Sequence, residues 1–286
     1  ITKMTKPLML TGAAFAIGGA HIGTRHAPVV IKRRIGTRFK QHRIVWQYPP
    51  YLKSYRAAVP ILKKSTRQLA HHIRITKSSY FPIIIGGDHS CAIGTWQGIS
   101  NARQKIGLLW IDAHFDSHTA KTSYTQRTHG MPLAMLLDCD EPKVIANNTA
   151  IVDYRHCAIF GARSFEPEEQ RLLNELNVRY YTMKEIKTRG FYRCFNEAWR
   201  KVSACQYGFG ISLDLDAIDP KFAPAVSVKA PRGLAWSLLF QALTIRRHTY
   251  KLKAVELAEF NPYLDKQHRT LDIIKQLIRV YSHKRG

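Results

Sequence analysis

At 286 residues, 45% hydrophobic and 22% charged, the chain is long enough to bury a sizeable core and lacks the polarity of a disordered segment. Its 44 Lys and Arg against 20 Asp and Glu give a net charge of +24, and the imbalance is local: the first acidic residue is Asp88, so residues 1–87 carry 16 basic side chains and no carboxylate. Those basic residues alternate with apolar ones and form no uninterrupted tract, which favours a solvated surface over a nucleic-acid-binding arm.

Five cysteines, an odd number with no C-x-x-C pair, suit free thiols in a reducing compartment and point to the cytoplasm. Segment 7–20 (PLMLTGAAFAIGGA) follows two lysines, as a secretory signal would. It is shorter than the ~20 apolar residues that span a bilayer. Its glycine-rich end suits a strand running into a loop, and no membrane association is expected.

In chain order, short apolar or β-branched runs predict strands over 8–17, 43–47, 82–86, 106–111, 157–161, 177–181, 208–214 and 252–258. Helical patterns lie between them at 52–75 (with Pro60 as a possible break), 90–101, 131–137, 167–176, 191–204, 236–247 and 270–282. Pro167 followed by Glu168 and Glu169 is a strong helix start, and Leu271, Ile274, Leu277 and Ile278 share one face of the last helix. Strand–helix alternation along the whole chain predicts an α/β fold in three layers. Its centre is a mostly parallel sheet of roughly eight strands, with helices on both faces. No linker-like stretch divides it, so one domain over 1–286 is expected.

In such sheets ligands bind beyond the carboxyl ends of the strands. Four of the runs end there in chemistry-bearing residues: PIIIG in Gly87-Asp88-His89-Ser90, IGLLWI in Asp112-Ala-His114-Phe-Asp116, GFGIS in the Asp214-Leu-Asp216 pair, and LKAVELA in Glu259-Phe-Asn261-Pro262. Extended backbone sends residues i, i+2 and i+4 to one side, so Asp112, His114 and Asp116 converge, as do Asp214 and Asp216. Carboxylates gathered this closely need a compensating cation. Mixed carboxylate–imidazole ligation suits divalent Mn, Zn or Fe; carboxylate dominance without cysteine favours Mn.

GGDHS, DAHFD and SLDLDAIDP, in this order and spacing, resemble the three signatures of the ureohydrolases: arginase, agmatinase and formimidoylglutamase. The resemblance runs from the Gly18/Gly23/Pro28 loop to EFNPYLDK. It implies two Mn²⁺ ions, one held by His89, Asp112, Asp116 and Asp214 and the other by His114, Asp112, Asp214 and Asp216, with Asp112 and Asp214 bridging. It implies attack of a metal-bridging hydroxide on a guanidinium, with Asp116 handing a proton to the leaving amine and His129 exchanging protons with bulk water. Glu259 would pair with the substrate guanidinium. A small-molecule guanidino substrate and a homo-oligomer (trimers and hexamers are common in the family) are implied as well.

The layout DSHT…HGMPLA and the segment GARSFEPEE resemble bacterial arginases, which hydrolyse L-arginine to urea and ornithine. They place Glu166 against the substrate ammonium, with His118 and Thr125 reaching its carboxylate. Two stretches depart from that pattern. Thr125-Gln126-Arg127 stand where a Ser-Gly-Asn type stretch is usual, and Val228-Lys229 where a Thr-Pro pair is usual. A glycine replaced by Gln126 matters if the backbone needs a positive φ. These departures keep agmatinase, or another guanidino or formimidoyl hydrolase, as the alternative. A metal-dependent deacetylase on a related fold would lack EFNP, and a non-catalytic, nucleic-acid-associated basic protein is the most distant reading.

Overall fold

Eight hydrophobic runs pair into one sheet whose neighbours are all parallel: β1 (Leu8–Ala14), β2 (Arg43–Trp46), β3 (Phe81–Gly86), β4 (Ile106–Ile111), β5 (Val152–Ala162), β6 (Arg179–Thr182), β7 (Phe209–Asp214) and β8 (Leu252–Ala258), in the order β2-β1-β3-β8-β7-β4-β5-β6. The computed structural model describes residues 6–35, 43–49, 52, 54–100, 104–140, 143–145, 150–247 and 249–282. Residue 53 of the expected 52–75 helix and residue 101 of the expected 90–101 helix lie outside them.

All seven expected helices form: α2 (Tyr55–Thr76), α3 (Cys91–Ile99), α4 (Pro132–Leu136), α5 (Pro167–Glu175), α7 (Phe191–Ser203), α8 (Trp236–Arg246) and α9 (Arg269–Ser282). Two more, α1 (Ala27–Ile35) and α6 (Met183–Arg189), were not legible in the sequence. Pro60 lies inside α2 without ending it. A mid-helix proline costs about 3 kcal/mol, but Tyr55, Ala58, Val59, Leu62, Leu69 and Ile73 all bury along the packed face, and tertiary packing outweighs propensity. The opposite face of α2 exposes Arg56, Lys64, Arg67, His71 and Arg74. An amphipathic helix therefore interleaves basic and apolar residues in sequence while lining up the basic ones in space.

The sheet separates two apolar layers. One gathers Ile83, Ile85, Leu109, Ile111, Ile211 and Leu213 with residues of α1, α6, α7, α8 and α9. The other gathers Ile84, Leu108 and Trp110 with residues of α2, α3, α4 and α5. This is the three-layer α/β arrangement expected. Strand β5 starts five residues earlier than its apolar run suggests, because its register against β4 shifts between Ile106 and Leu108. The polar residues there are accounted for by Asp153, which pairs with Arg155 and His156.

The consequence for function lies in the strand order. The four strands that end in chemistry-bearing residues, β3, β8, β7 and β4, are adjacent in the middle of the sheet, so their carboxyl ends open onto one place. Gly87 lets the turn after β3 lie against the backbone leaving β1: a Cβ there would sit 1.9 Å from the Phe15 carbonyl oxygen. No described helix is long and apolar enough to cross a membrane.

Candidate metal and substrate site

His89 leaves β3 in the turn that begins α3 and is fully buried. Its Nδ1 lies 3.1 Å from Asp112 Oδ2, 3.0 Å from Asp116 Oδ2 and 3.3 Å from Asp214 Oδ2, yet it has no aligned hydrogen-bond partner. His114 Nδ1 lies 3.0 Å from Asp216 Oδ2 and 3.4 Å from Asp112 Oδ1. All six residues singled out as metal ligands therefore meet beyond β3, β4 and β7. They form two overlapping groups able to hold an ion, His89–Asp112–Asp116 and Asp112–His114–Asp216, which share Asp112.

The electrostatics of this cluster test whether cations fit. Burial, then the neighbouring Asp216 and Asp112 charges, pushes Asp214 well above the carboxylate range. Burial and Asp112 push Asp116 up to about 6, and burial raises Asp216 as well. Burial would lower both imidazoles, but the surrounding carboxylates hold His89 and His114 well above the usual histidine range. Burial would likewise raise Asp112, but His114 and His89 hold it below the usual carboxylate range. Protein protons are thus the counter-charge available to a buried group of four carboxylates. Divalent cations would replace them, and the donor set of carboxylate oxygens and imidazole nitrogens fits such ions.

Glu259 enters from the end of β8 on left-handed backbone (φ 64°), as Asp116 does after β4 (φ 50°). Non-glycine residues rarely adopt this conformation, and such strain concentrates at functional sites. Glu259 Oε1 accepts the His89 backbone N–H at 3.0 Å and contacts His129 Nδ1 at 3.1 Å. Its other oxygen, Oε2, is buried and unpartnered. Burial would lower the His129 ring, but its bond to Glu259 raises it. Glu259 thus has one unpaired acceptor and adjoins the carboxylate cluster through its bond to the His89 backbone.

The residues expected around the substrate tail are only partly assembled. His118 Nε2 lies 3.1 Å from Glu166 Oε2 and 3.6 Å from Glu169 Oε2, and its Nδ1 lies 3.1 Å from Thr122 Oγ1. Thr125 is exposed, and its Oγ1 accepts the Arg127 N–H at 3.3 Å. Gln126 does adopt a positive φ of 57°. Its amide offsets the strain by donating to the Ala120 and Ser123 carbonyls at 2.8 and 2.7 Å. Arg127 is half-buried.

Several residues that hold the site were not recognised from sequence. Glu169 was read as a helix-start residue. It is buried and accepts the backbone N–H groups of Ser117 and Glu166, both at 3.0 Å, so it ties the DAHFDS loop to the start of α5. Asp88 was singled out with its motif but given no role; it accepts from Gly18 and Ser90 backbone N–H groups and locks the β1 and β3 turns together. Arg163, in GARS, donates to the Gly161, Asp216, Ala217, Ala230 and Pro231 carbonyls. The available signal was an arginine placed right after a buried strand. Which carbonyls it would staple depends on loops far apart in sequence.

The comparisons agree with this geometry. A model of the arginase family matches residues 6–282. The chain is 32% identical over 207 residues to an arginase of Bacillus caldovelox, covering 72% of this chain and 69% of that one. It is 33% identical over 199 residues to an arginase of Bacillus subtilis strain 168, covering 69% and 67%. The solved native arginase of B. caldovelox superimposes with a TM-score of 0.88 at 26% identity, over 98% of this chain and 99% of that one. A formimidoylglutamase of B. subtilis shares the fold at 20% identity and a TM-score of 0.79. With its motifs gathered at the ends of adjacent strands and a family match spanning the described fold, the chain belongs to the arginase family of ureohydrolases.

Proposed function

We propose that this ureohydrolase is a binuclear manganese enzyme that hydrolyses L-arginine to urea and ornithine. The observation that carries the reading is the pair of overlapping ligand groups sharing Asp112, with the open oxygen of Glu259 close by. His89, Asp112, Asp116 and Asp214 would hold one ion, and His114, Asp112, Asp214 and Asp216 the other. When bound, such a pair supplies a hydroxide at neutral pH by lowering the pKa of a shared water.

The chain's own groups do the rest. A guanidinium is a planar, fork-shaped cation, and Glu259 Oε2 is an unpaired acceptor for one of its N–H groups. That bond orients the guanidinium carbon toward the cluster and favours its cationic form. Asp116 would take the O–H proton of the attacking hydroxide as the urea carbonyl forms and pass it to the leaving amine as its bond to carbon breaks. His129, on the partly accessible side of Glu259, exchanges protons with solvent. His118 and Glu166 face each other at 3.1 Å and would receive the charged groups of an amino-acid tail. The test is metal-dependent urea release from arginine by the purified protein.

Agmatine is the second candidate. Thr125, expected on the substrate carboxylate, is exposed and already accepts a backbone N–H, and agmatine has no carboxylate to be recognised. Arg127 can supply the missing carboxylate contact if it turns inward, which favours arginine. We place the enzyme in the cytoplasm on the strength of its five free cysteines. We also expect a homo-oligomer: α8 leaves Trp236, Leu238 and Phe240 half-buried and Ile245 exposed.

A further inference from the structure

One layer beneath the carboxylate cluster, three neighbouring strands set Trp110, Ser212 and Glu256 in a single cross-strand row: Trp110 opposite Ser212, and Ser212 opposite Glu256. The His89 ring stacks on Trp110 at 4.0 Å and 16°. Its Nε2 lies 2.9 Å from Ser212 Oγ, and the Ser212 hydroxyl donates to Glu256 Oε2 at 2.7 Å. The other Glu256 oxygen accepts from Thr95 Oγ1 at 2.6 Å and Cys91 Sγ at 3.2 Å, both from α3. Glu256 is fully buried. Among the described residues no lysine, arginine or histidine lies within ion-pair distance of it.

A buried carboxylate served only by neutral donors is costly to maintain, so the bonds it makes need a use. Direction follows from the chemistry of each group. Both Glu256 oxygens accept, Oε1 from Thr95 and Cys91 and Oε2 from Ser212, so the Ser212 hydrogen points to Glu256. Ser212 Oγ is then left as an acceptor for His89 Nε2–H. The proton of a neutral His89 ring therefore sits on Nε2, and the lone pair of Nδ1 faces Asp112, Asp116 and Asp214.

We propose that Glu256 is a positioning residue that acts through Ser212 to fix the tautomer and aim of His89, and so sets the affinity of one of the two cation positions. The proposal rests on the two-ion reading above. Partners behind a ligating histidine orient the ring and raise its basicity, and losing them typically costs 10–100-fold in metal affinity. Of the six candidate ligands, only His89 bonds to Ser212; Asp112 meets the row through Trp110 Nε1, which donates to its Oδ2 at 2.9 Å, a bond in which neither Ser212 nor Glu256 takes part. The position built on His114 shares no bond with Ser212 or Glu256 among the described residues and should be unaffected.

The test is equilibrium dialysis against Mn²⁺ for the wild type, Glu256→Gln and Ser212→Ala. Electron paramagnetic resonance of the bound ions and thermal melts of the metal-free proteins complete it. The expected result is two ions in the wild type. Each variant should bind one ion with wild-type affinity and the other about 10–100-fold more weakly. At half loading the variants should show the six-line signal of an isolated Mn²⁺ instead of a coupled pair. Metal-free Ser212→Ala leaves Glu256 Oε2 and His89 Nε2 without their Ser212 partner and should melt somewhat lower, and its melt serves to show that it is folded at the temperature of the dialysis. If Glu256→Gln does not fold, Ser212→Ala decides alone. Wild-type affinity for both ions in a folded variant would overturn the positioning role, as would equal weakening of both ions. A wild type that binds no Mn²⁺ would instead overturn the two-ion reading.

Discussion

Replacing Glu259 by Gln isolates the substrate contact from the metal cluster, since Glu259 belongs to neither ligand group. The amide must choose an orientation. Oε1 already faces the His89 N–H and the His129 ring, so the amide oxygen takes that place and the NH₂ turns to the open edge. A donor then meets the N–H groups of a cationic substrate. The loss is one hydrogen bond between charged groups, worth roughly 1.5–3 kcal/mol, or about 10- to 150-fold in kcat/KM for arginine at ~1.4 kcal/mol per tenfold. Repulsion between the opposed donors makes this a lower bound. Urea release under Mn²⁺ saturation, with bound metal measured on the same sample, is the assay. Less than about a threefold change with metal content intact would refute the assignment of Glu259 to the guanidinium.

Three further outcomes follow from the same geometry. Asp214→Asn, whose parent carboxylate contacts His89 and is taken to bridge the ions, should lose bound metal and urea release together; metal analysis showing two ions in the mutant would remove Asp214 from the ligand set. Glu169 is pushed up to about 9 by burial and by Glu166, against about 4.3 in an unfolded chain, so between those values the folded state holds one more proton and stability falls as pH rises. The melting temperature of the metal-free protein should therefore decline from pH 5 to 9, with a shallower slope in Glu169→Gln, and equal slopes would refute this. Arg127→Ala should cost arginine about 10- to 150-fold in kcat/KM if its guanidinium meets the substrate carboxylate, and leave agmatine nearly unchanged; an equal, small effect on both substrates would put Arg127 outside the site.

The architecture was legible because its signals are local. All eight apolar runs became strands, and periodicity placed seven of the nine described helices. Those missed have weak local signals: α1 follows directly on a short turn and carries Lys32, Arg33 and Arg34 in its last turn, and α6 is seven residues long. The six candidate ligands were legible from their place just past the strand ends, but not through the expected alternation: β4 stops at Ile111, Asp116 sits on left-handed backbone (φ 50°) and Asp216 lies in a 3-10 turn, so tight turns rather than extended backbone bring them together. Strand order was not legible. Nothing in sequence says that β8 lies between β3 and β7, and without that placement Glu256 reads as one polar residue in an apolar strand. The row of Trp110, Ser212 and Glu256 needs three registers at once. Gln126 shows the opposite case: the sequence raised the question of a positive φ there and the structure has one, but the side-chain bonds that let Gln tolerate it depend on the fold of its own loop.

The most direct test of the central claim is a urea-release assay on the purified, Mn²⁺-loaded enzyme, with arginine, agmatine, guanidinobutyrate and formimidoylglutamate offered separately. Formation of ornithine and formamide is followed alongside. The account predicts Mn²⁺-dependent urea and ornithine from arginine, with arginine giving the highest kcat/KM of the four. No urea from arginine by fully metal-loaded enzyme, or preferred turnover of one of the other three, would contradict it.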